Sequence, residues 1–201
     1  MTRRLALRAL VGLTTIVGAG LAIGLVAGFG SWTFAAGQIG VILAIGALDR
    51  LAWPGVDRWD RGACGEEHVG RILDGLAADG WLALHDRTIG RGNVDHIVVG
   101  PGGLLTIETK SHAGRIAVDG LDDRMLKQAY AEAKAIERVT GRSVTPLLVF
   151  SRAYLDRAVT RQRGVVVLPA RMLAGHLARR RPELSPGEVE EIHARLSAAL
   201  A

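Results

Sequence analysis

Residues 9–48 form a run of 40 without one Asp, Glu, Lys, Arg or His. A run of that length is too apolar for a solvated surface and too long for one core helix. A bilayer core takes about 20 apolar residues per helix, so the run suits two spans. Gly28, Gly30 and Ser31 break it near its middle, and Trp32 sits beside the break, where an interfacial aromatic belongs. Two transmembrane helices are therefore expected, at about 9–28 and about 32–48. Arg3, Arg4 and Arg8 precede the first, Arg50, Arg58 and Arg61 follow the second, and the connecting loop is uncharged. The positive-inside rule then makes this a multi-pass protein of the cell membrane, with the N-terminus and the C-terminal domain both in the cytoplasm. A cleaved signal peptide fits poorly, because the first run is longer than a usual signal core and a second follows at once. Gly20, Gly24 and Gly28 recur every four residues and let a helix approach closely, for which the second span is partner enough.

Of the 25 Lys and Arg residues only three precede residue 49, and none of the 20 acidic residues does. The part beyond the membrane run is thus mildly basic, which permits nucleic-acid binding without demanding it. Cys64 is the only cysteine, which excludes an intramolecular disulfide and a multi-cysteine zinc site and suits a reducing compartment. The expected organisation is a membrane anchor over 1–48, a juxtamembrane linker over 49–63 and one domain over 64–201. About 140 residues can bury roughly two-thirds of the surface of their unfolded chain.

Within that domain, Val69, Ile72, Leu73 and Leu76 recur at helical spacing, predicting a helix from Glu66 to about Ala78, ended by Gly80. "WLALHD", "VDHIVVG" and "LLTIETK" read as strands, the last two joined by "GPGG". A second helix is expected over 121–140 with Gly141 as its stop, then "PLLVF" and "VVVLP" as buried strands and a short helix over 172–180. The last helix carries its own start signal, with Ser185 as N-cap, Pro186 next and Glu188 three after the cap. This order gives an α/β fold with a mixed sheet flanked by helices.

Asp95, Glu108 and Lys110 interrupt the most apolar of these strands. Side chains alternate along a strand, so Glu108 and Lys110 share a face. Pairing Val99 with Leu104 across the turn pairs Ile97 with Thr106 and Asp95 with Glu108, bringing two carboxylates to within about 5 Å at Cβ. That register also gathers Leu105, Ile107 and Thr109 on the other face. Like charges opposed on a sheet are destabilising. Two readings fit: a site for Mg²⁺ or Mn²⁺, with Lys110 holding a phosphate or orienting water, or an ion pair at a strand edge. Glu66 lies in helical register with Val69 and Leu73, so it is expected to face the sheet. Its alternative is an acid favoured by a helix N-terminus. Gln128, one turn from Met125 and Glu132, could reach the same pocket. His96 alternates away from Asp95 and reads as packing, while His112 reads as an exposed turn residue.

"GEEHV", "NVDHIVVGPGGLLTIETKSHAG" and the downstream Gln128 together resemble the nuclease-related domain (NERD), a branch of the PD-(D/E)xK restriction-endonuclease-like group, over roughly 64–150. The resemblance implies an αβββαβ core and metal-dependent hydrolysis of DNA phosphodiester bonds. In it Asp95 and Glu108 hold Mg²⁺ or Mn²⁺, Lys110 activates or positions water, and Glu66 and Gln128 support the site. Ser111 stands where the family has Asn. Phosphate-loop, serine-elbow, zinc-protease and dinucleotide fingerprints do not occur in the sequence. Arg152, Arg157, Arg161 and Arg163 crowd the connection between the two later strands and are candidates for DNA phosphates, or a solvated charge run. The function expected is a membrane-anchored nuclease; the alternative is a non-catalytic nucleic-acid or protein-binding scaffold on the same fold.

Overall fold

The structure, a computed structural model, describes the backbone of residues 2–29, 32–51, 53–90 and 92–200, with side chains for most of 11–26 and 32–47 and, within those bounds, from 62 onward. The chain forms two compact units, Met1–Trp59 and Asp60–Ala201.

In the first unit α1 (Thr2–Ala27) and α2 (Trp32–Leu51) cover the two expected spans and overrun them, α1 at its start and α2 at its end. Gly20 and Gly24 are buried. A Cβ added to Gly20 would meet Gln38 of α2, whereas one on Gly24 would meet the Phe29 ring in the connection and one on Gly28 would meet nothing, so of the three glycines Gly20 alone admits the second helix. Gly28, in the left-handed region at φ 81°, ends α1. Gly30 and Ser31, expected in the break, lie outside the described residues, as do the side chains of the six flanking arginines. Among the described residues no helix is long and apolar enough to cross a membrane. Leu21, Leu25, Val26, Ile39 and Leu43 are exposed on these helices.

The helix expected from Glu66 begins well before it: α3 spans Trp53–Asp74, so the segment read as linker is helical from Trp53. Pro54 does not prevent this, because in a first turn its missing N–H costs no intrahelical hydrogen bond. The helix also stops short of Ala78. A 3-10 turn at Ala77–Asp79 follows, closed by Gly80 at φ 81°.

Six strands build the sheet of the second unit: β1 (Leu82–Ile89), β2 (Gly92–Gly100), β3 (Gly103–Ile116), β4 (Val144–Leu155), β5 (Thr160–Gln162) and β6 (Val165–Pro169). Their order is β1-β2-β3-β4-β6-β5, with β1 to β3 and the β5 edge antiparallel and β3-β4-β6 parallel. The parallel step from β3 to β4 needs a crossover, which α4 (Asp123–Thr140) supplies. Asp122 caps its start by accepting from Arg124 N–H, and Gly141 closes its end. After β6 come α5 (Leu173–Ala178) and α6 (Pro186–Ala199), the latter opened by the expected Ser185–Glu188 capping box. Two elements differ from expectation. β3 continues past Lys110 to Ile116 with a register shift between Lys110 and Ala113, so His112 lies in a strand and not a turn. β5, three polar residues long, falls inside the arginine-rich connection, where no alternation could mark it.

Leu105, Ile107, Leu147 and Val149 pack one sheet face against Val69 and Leu73 of α3 and Leu173 and Leu177 of α5. The other face is covered by Leu126, Ala129 and Ile136 of α4 and by Val189, Ile192 and Leu196 of α6. Strands covered on both faces read as unbroken apolar runs, which is why a charge in β3 stands out.

Gly100 pairs with Gly103, so the β2–β3 connection is the two-residue turn Pro101-Gly102. A Cβ on Gly100 would stand 2.2 Å from the ring of Trp81, which is itself buried. Gly100→Ala should therefore destabilise the chain by about 1–3 kcal/mol through overpacking. Chemical denaturation of the full-length variant checks this; an unchanged midpoint would mean that Trp81 gives way freely.

Candidate active site

Alternation along β3 turns Thr106, Glu108 and Lys110 toward α4 and Leu105 and Ile107 toward α3, as the sequence implied. Glu108 is 3% exposed, an extreme position for a carboxylate. The ladder between β2 and β3 has the expected register, Val99 with Leu104 and Ile97 with Thr106, but it ends at His96 with Ile107. The Asp95–Glu108 pair expected as its next rung is not formed. There a side chain takes over from the ladder, because the Thr109 backbone N–H donates to Asp95 Oδ2 at 2.7 Å. Asp95 is thus oriented by the backbone of the strand that carries Glu108.

Lys110 Nζ donates to Glu108 Oε1 and, at 3.3 Å, to Gln128 Oε1. Gln128 passes the chain on, its Nε2 donating to Glu132 Oε1 at 3.0 Å. One amide on α4 therefore holds the lysine with its oxygen and a second buried carboxyl with its nitrogen. Glu132 was not among the expected site residues. Its place four residues after Gln128, on the same helix face, was the signal. Glu66 is exposed at the rim rather than turned into the core, yet it feels the site. Its neighbour Gly65 carries the close approach of α3, where a Cβ would stand 2.7 Å from Ser151 Oγ and 2.8 Å from Ser111 Cβ. Ser111 is thus part of the seat of α3.

The carboxylates raise one another's pKa. Asp95 is pushed up to about 7, chiefly by burial and then by Glu108, against the Thr109 N–H that favours its charge. Burial and then Glu108 also raise Glu132. Glu66 is raised by its partial burial, then by Glu108 and by Asp86. Asp86 is a further acid that sequence reasoning missed. It has φ 52° in the middle of β1, opposite Asp95, at a position the β1–β2 ladder skips. Its carboxylate accepts from Asn93 Nδ2.

On the opposite sheet face His96 is buried, with its Nδ1 2.8 Å from His85 Nδ1, and His85 Nε2 lies 2.9 Å from Asp74 Oδ1. Burial and then His85 lower the pKa of His96 to about 4. The ring is thus a neutral packing group beneath α3, in line with its alternation away from Asp95. The four arginines differ in their partners. Arg157 and Arg163 are ion-paired with Asp119 and Asp123, whereas Arg152 in β4 and Arg161 in β5 make no ion pair among the described residues.

Among the described residues no group of three or more His, Cys, Asp or Glu is arranged to hold a metal ion. Asp95 and Glu108 nevertheless have the chemistry for a hard cation. Glu108 Oε2 is buried and accepts from no N–H among the described residues, the neighbouring Glu132 carboxyl being the side chain hydrogen-bonded to Glu108, and a carboxylate oxygen so placed is the donor that Mg²⁺ or Mn²⁺ takes.

Residues 61–151 match the family model described as nuclease-related domain, a stretch that contains Glu66, Asp86, Asp95, Glu108, Lys110, Gln128 and Glu132. No curated protein matches the chain. Among solved structures, a repair endonuclease from Pyrococcus abyssi is similar at 17% identity and a TM-score of 0.30, over 55% of this chain and 41% of that one. The chain thus covers less than half the length of that endonuclease, and the likeness is too low to define a common fold.

Asp95 has a folded pKa near 7, above the unfolded value of about 3.9, so its protonated form favours the fold. That contribution is complete below about pH 4 and is lost as the pH rises through 7. In EDTA the melting temperature of the full-length chain should fall between pH 5 and pH 8 by more than that of Asp95→Asn. Equal slopes in the two proteins would refute the assignment.

Proposed function

We propose that the chain is a divalent-metal-dependent nuclease that hydrolyses DNA phosphodiester bonds at the Asp95, Glu108 and Lys110 site. The observation that carries this reading is the buried Glu108 carboxylate, held beside Lys110 on a strand otherwise apolar, within a stretch that matches the nuclease-related domain model. Asp95 and Glu108 would hold Mg²⁺ or Mn²⁺. When bound, the ion supplies Lewis-acid stabilisation of the phosphoryl oxygens and lowers the pKa of water.

The remaining work falls to the chain's own groups. Lys110, steadied by Glu108 on one side and Gln128 on the other, presents its third N–H to a phosphate oxygen or to the attacking water. Gln128 keeps that ammonium from collapsing onto one acid, and the Thr109 N–H keeps Asp95 from rotating away. Hydrolysis adds water across one P–O bond: the water oxygen bonds to phosphorus, its proton leaves, and the departing oxygen gains one. Glu66 at the rim has a raised pKa and suits that proton exchange. Arg152 and Arg161 are available to neighbouring phosphates, while Arg157 and Arg163 are engaged by Asp119 and Asp123.

The full-length chain should nick or degrade DNA with Mg²⁺ or Mn²⁺ and do nothing in EDTA. Asp95→Ala and Lys110→Ala should each lower the rate by about two to four orders of magnitude, the range of positioned acid–base groups. Undiminished activity in both variants would sink the assignment. DNA binding without cleavage under any metal would establish instead a non-catalytic module on the same fold.

Anchoring in the cell membrane through residues 9–48 belongs to the same proposal. It is supported by the 40-residue uncharged run, its flanking arginines and the exposed apolar side chains of α1 and α2. A reporter fused after Ala201 should be cytoplasmic and one inserted near Ser31 external. An external C-terminal reporter would remove cytoplasmic DNA as the substrate.

A further inference from the structure

Between the β1–β2 turn and α4 lies a cavity of about 290 Å³, to which Gln128 and Glu132 belong as much as they belong to the active site. Its walls are apolar, made by Ile89 and Val94 on one side and Ala131 and Ala135 on the other. Among the described residues, Asn93, Gln128 and Glu132 supply the polar side chains of the lining. Glu132 is 8% exposed, its Oε1 accepting from Gln128 and its carboxyl also hydrogen-bonded to Glu108. Gln128 and Glu132 thus make the polar part of the lining continuous with the Asp95, Glu108 and Lys110 site.

Size and lining together narrow the ligand. Small-molecule sites span roughly 300–1,000 Å³, and a cavity at the bottom of that range takes one ring system rather than an extended molecule. The ring must offer apolar faces to Ile89, Val94 and the two alanines and a hydrogen-bonding edge to the amides and carboxyl. A nucleobase has that combination. In a duplex its edge is paired and its faces are stacked, so only an unpaired base can enter.

We propose that this cavity receives an unpaired nucleobase next to the phosphodiester held at Asp95, Glu108 and Lys110, which makes single-stranded or locally unpaired DNA the substrate class. The inference rests on the nuclease reading for its substrate, but its test does not depend on cleavage. Ala131 is exposed on α4, so Ala131→Trp fills the mouth of the cavity without entering the core, and Ala131→Ser leaves it open.

The probes are a single-stranded oligonucleotide of roughly a dozen nucleotides, within the span of known single-strand sites, and an abasic oligonucleotide of equal length. Binding to the full-length chain is measured in Ca²⁺, which takes the same oxygen ligands. The wild type and Ala131→Ser should bind the base-bearing strand about tenfold more tightly than the abasic one, as a single buried base provides. Ala131→Trp should bind both with the abasic affinity. Equal affinity of the wild type for the two strands, or weaker binding of the abasic strand by Ala131→Trp, would overturn the assignment. Cleavage in Mn²⁺ is read separately. Base-selective binding with neither strand cut would reject hydrolysis and leave the cavity assignment standing, whereas equal cutting of both strands would reject the cavity and leave hydrolysis standing.

Discussion

Burial of the Glu108 carboxylate in a central strand is the constraint around which the rest of this domain is organised. β3 lies between β2 and β4 and is covered by helices on both faces, so a charge there has no water to fall back on. Lys110, two residues on, provides one opposite charge. Asp95 and Glu132 then add negative charge to the same small volume, and Glu66 and Asp86 reach it from the rim. One ammonium stands among several acids there, and the carboxyl pKa values are raised first by burial and then by the acids' mutual repulsion. A buried pair alone rarely adds stability over an apolar one, so an arrangement this unbalanced points to a task other than stability. A divalent cation is the simplest species that would both offset the repulsion and do chemistry.

The two sheet faces divide the labour. Toward α3 and α5 the sheet offers aliphatic side chains and the His85 and His96 rings, which meet edge to face. Toward α4 it offers the acids and the lysine, and α4 answers with Gln128 and Glu132 one turn apart. Asp95 is where the division becomes geometry. The β2–β3 ladder stops beside it, its carboxylate replaces the missing rung, and the strands part around the site. Opposite it, Asp86 holds a left-handed backbone conformation that few non-glycine residues adopt.

The sequence carried much of this, and unevenly. Apolar runs bounded by Gly and Pro located β2, β3, β4 and β6, and the Ser185–Glu188 pattern located the start of α6, because in each the local chemistry and the tertiary environment agree. Register across Pro101-Gly102 followed from the turn, which set Glu108 and Lys110 on the face away from Leu105 and Ile107, while the helix that covers that face was not legible. What escaped depended on distant contacts. The N-terminal extension of α3 through Pro54 and Gly55 goes against local propensity, and β5 exists only because β6 lies beside it. Asp86, set among polar neighbours, and Glu132 are acids of a strand and a helix. Only the closing of β1 onto β2 and of α4 onto β3 brings them to the site.

Calorimetric titration of Mn²⁺ into the full-length chain, beside Glu108→Gln, addresses the central claim most directly. A cation site at Asp95 and Glu108 requires saturable binding of Mn²⁺ by the wild type, lost in Glu108→Gln while the variant stays folded. Absence of binding in the wild type, or binding left intact when Glu108 is neutralised, would contradict it.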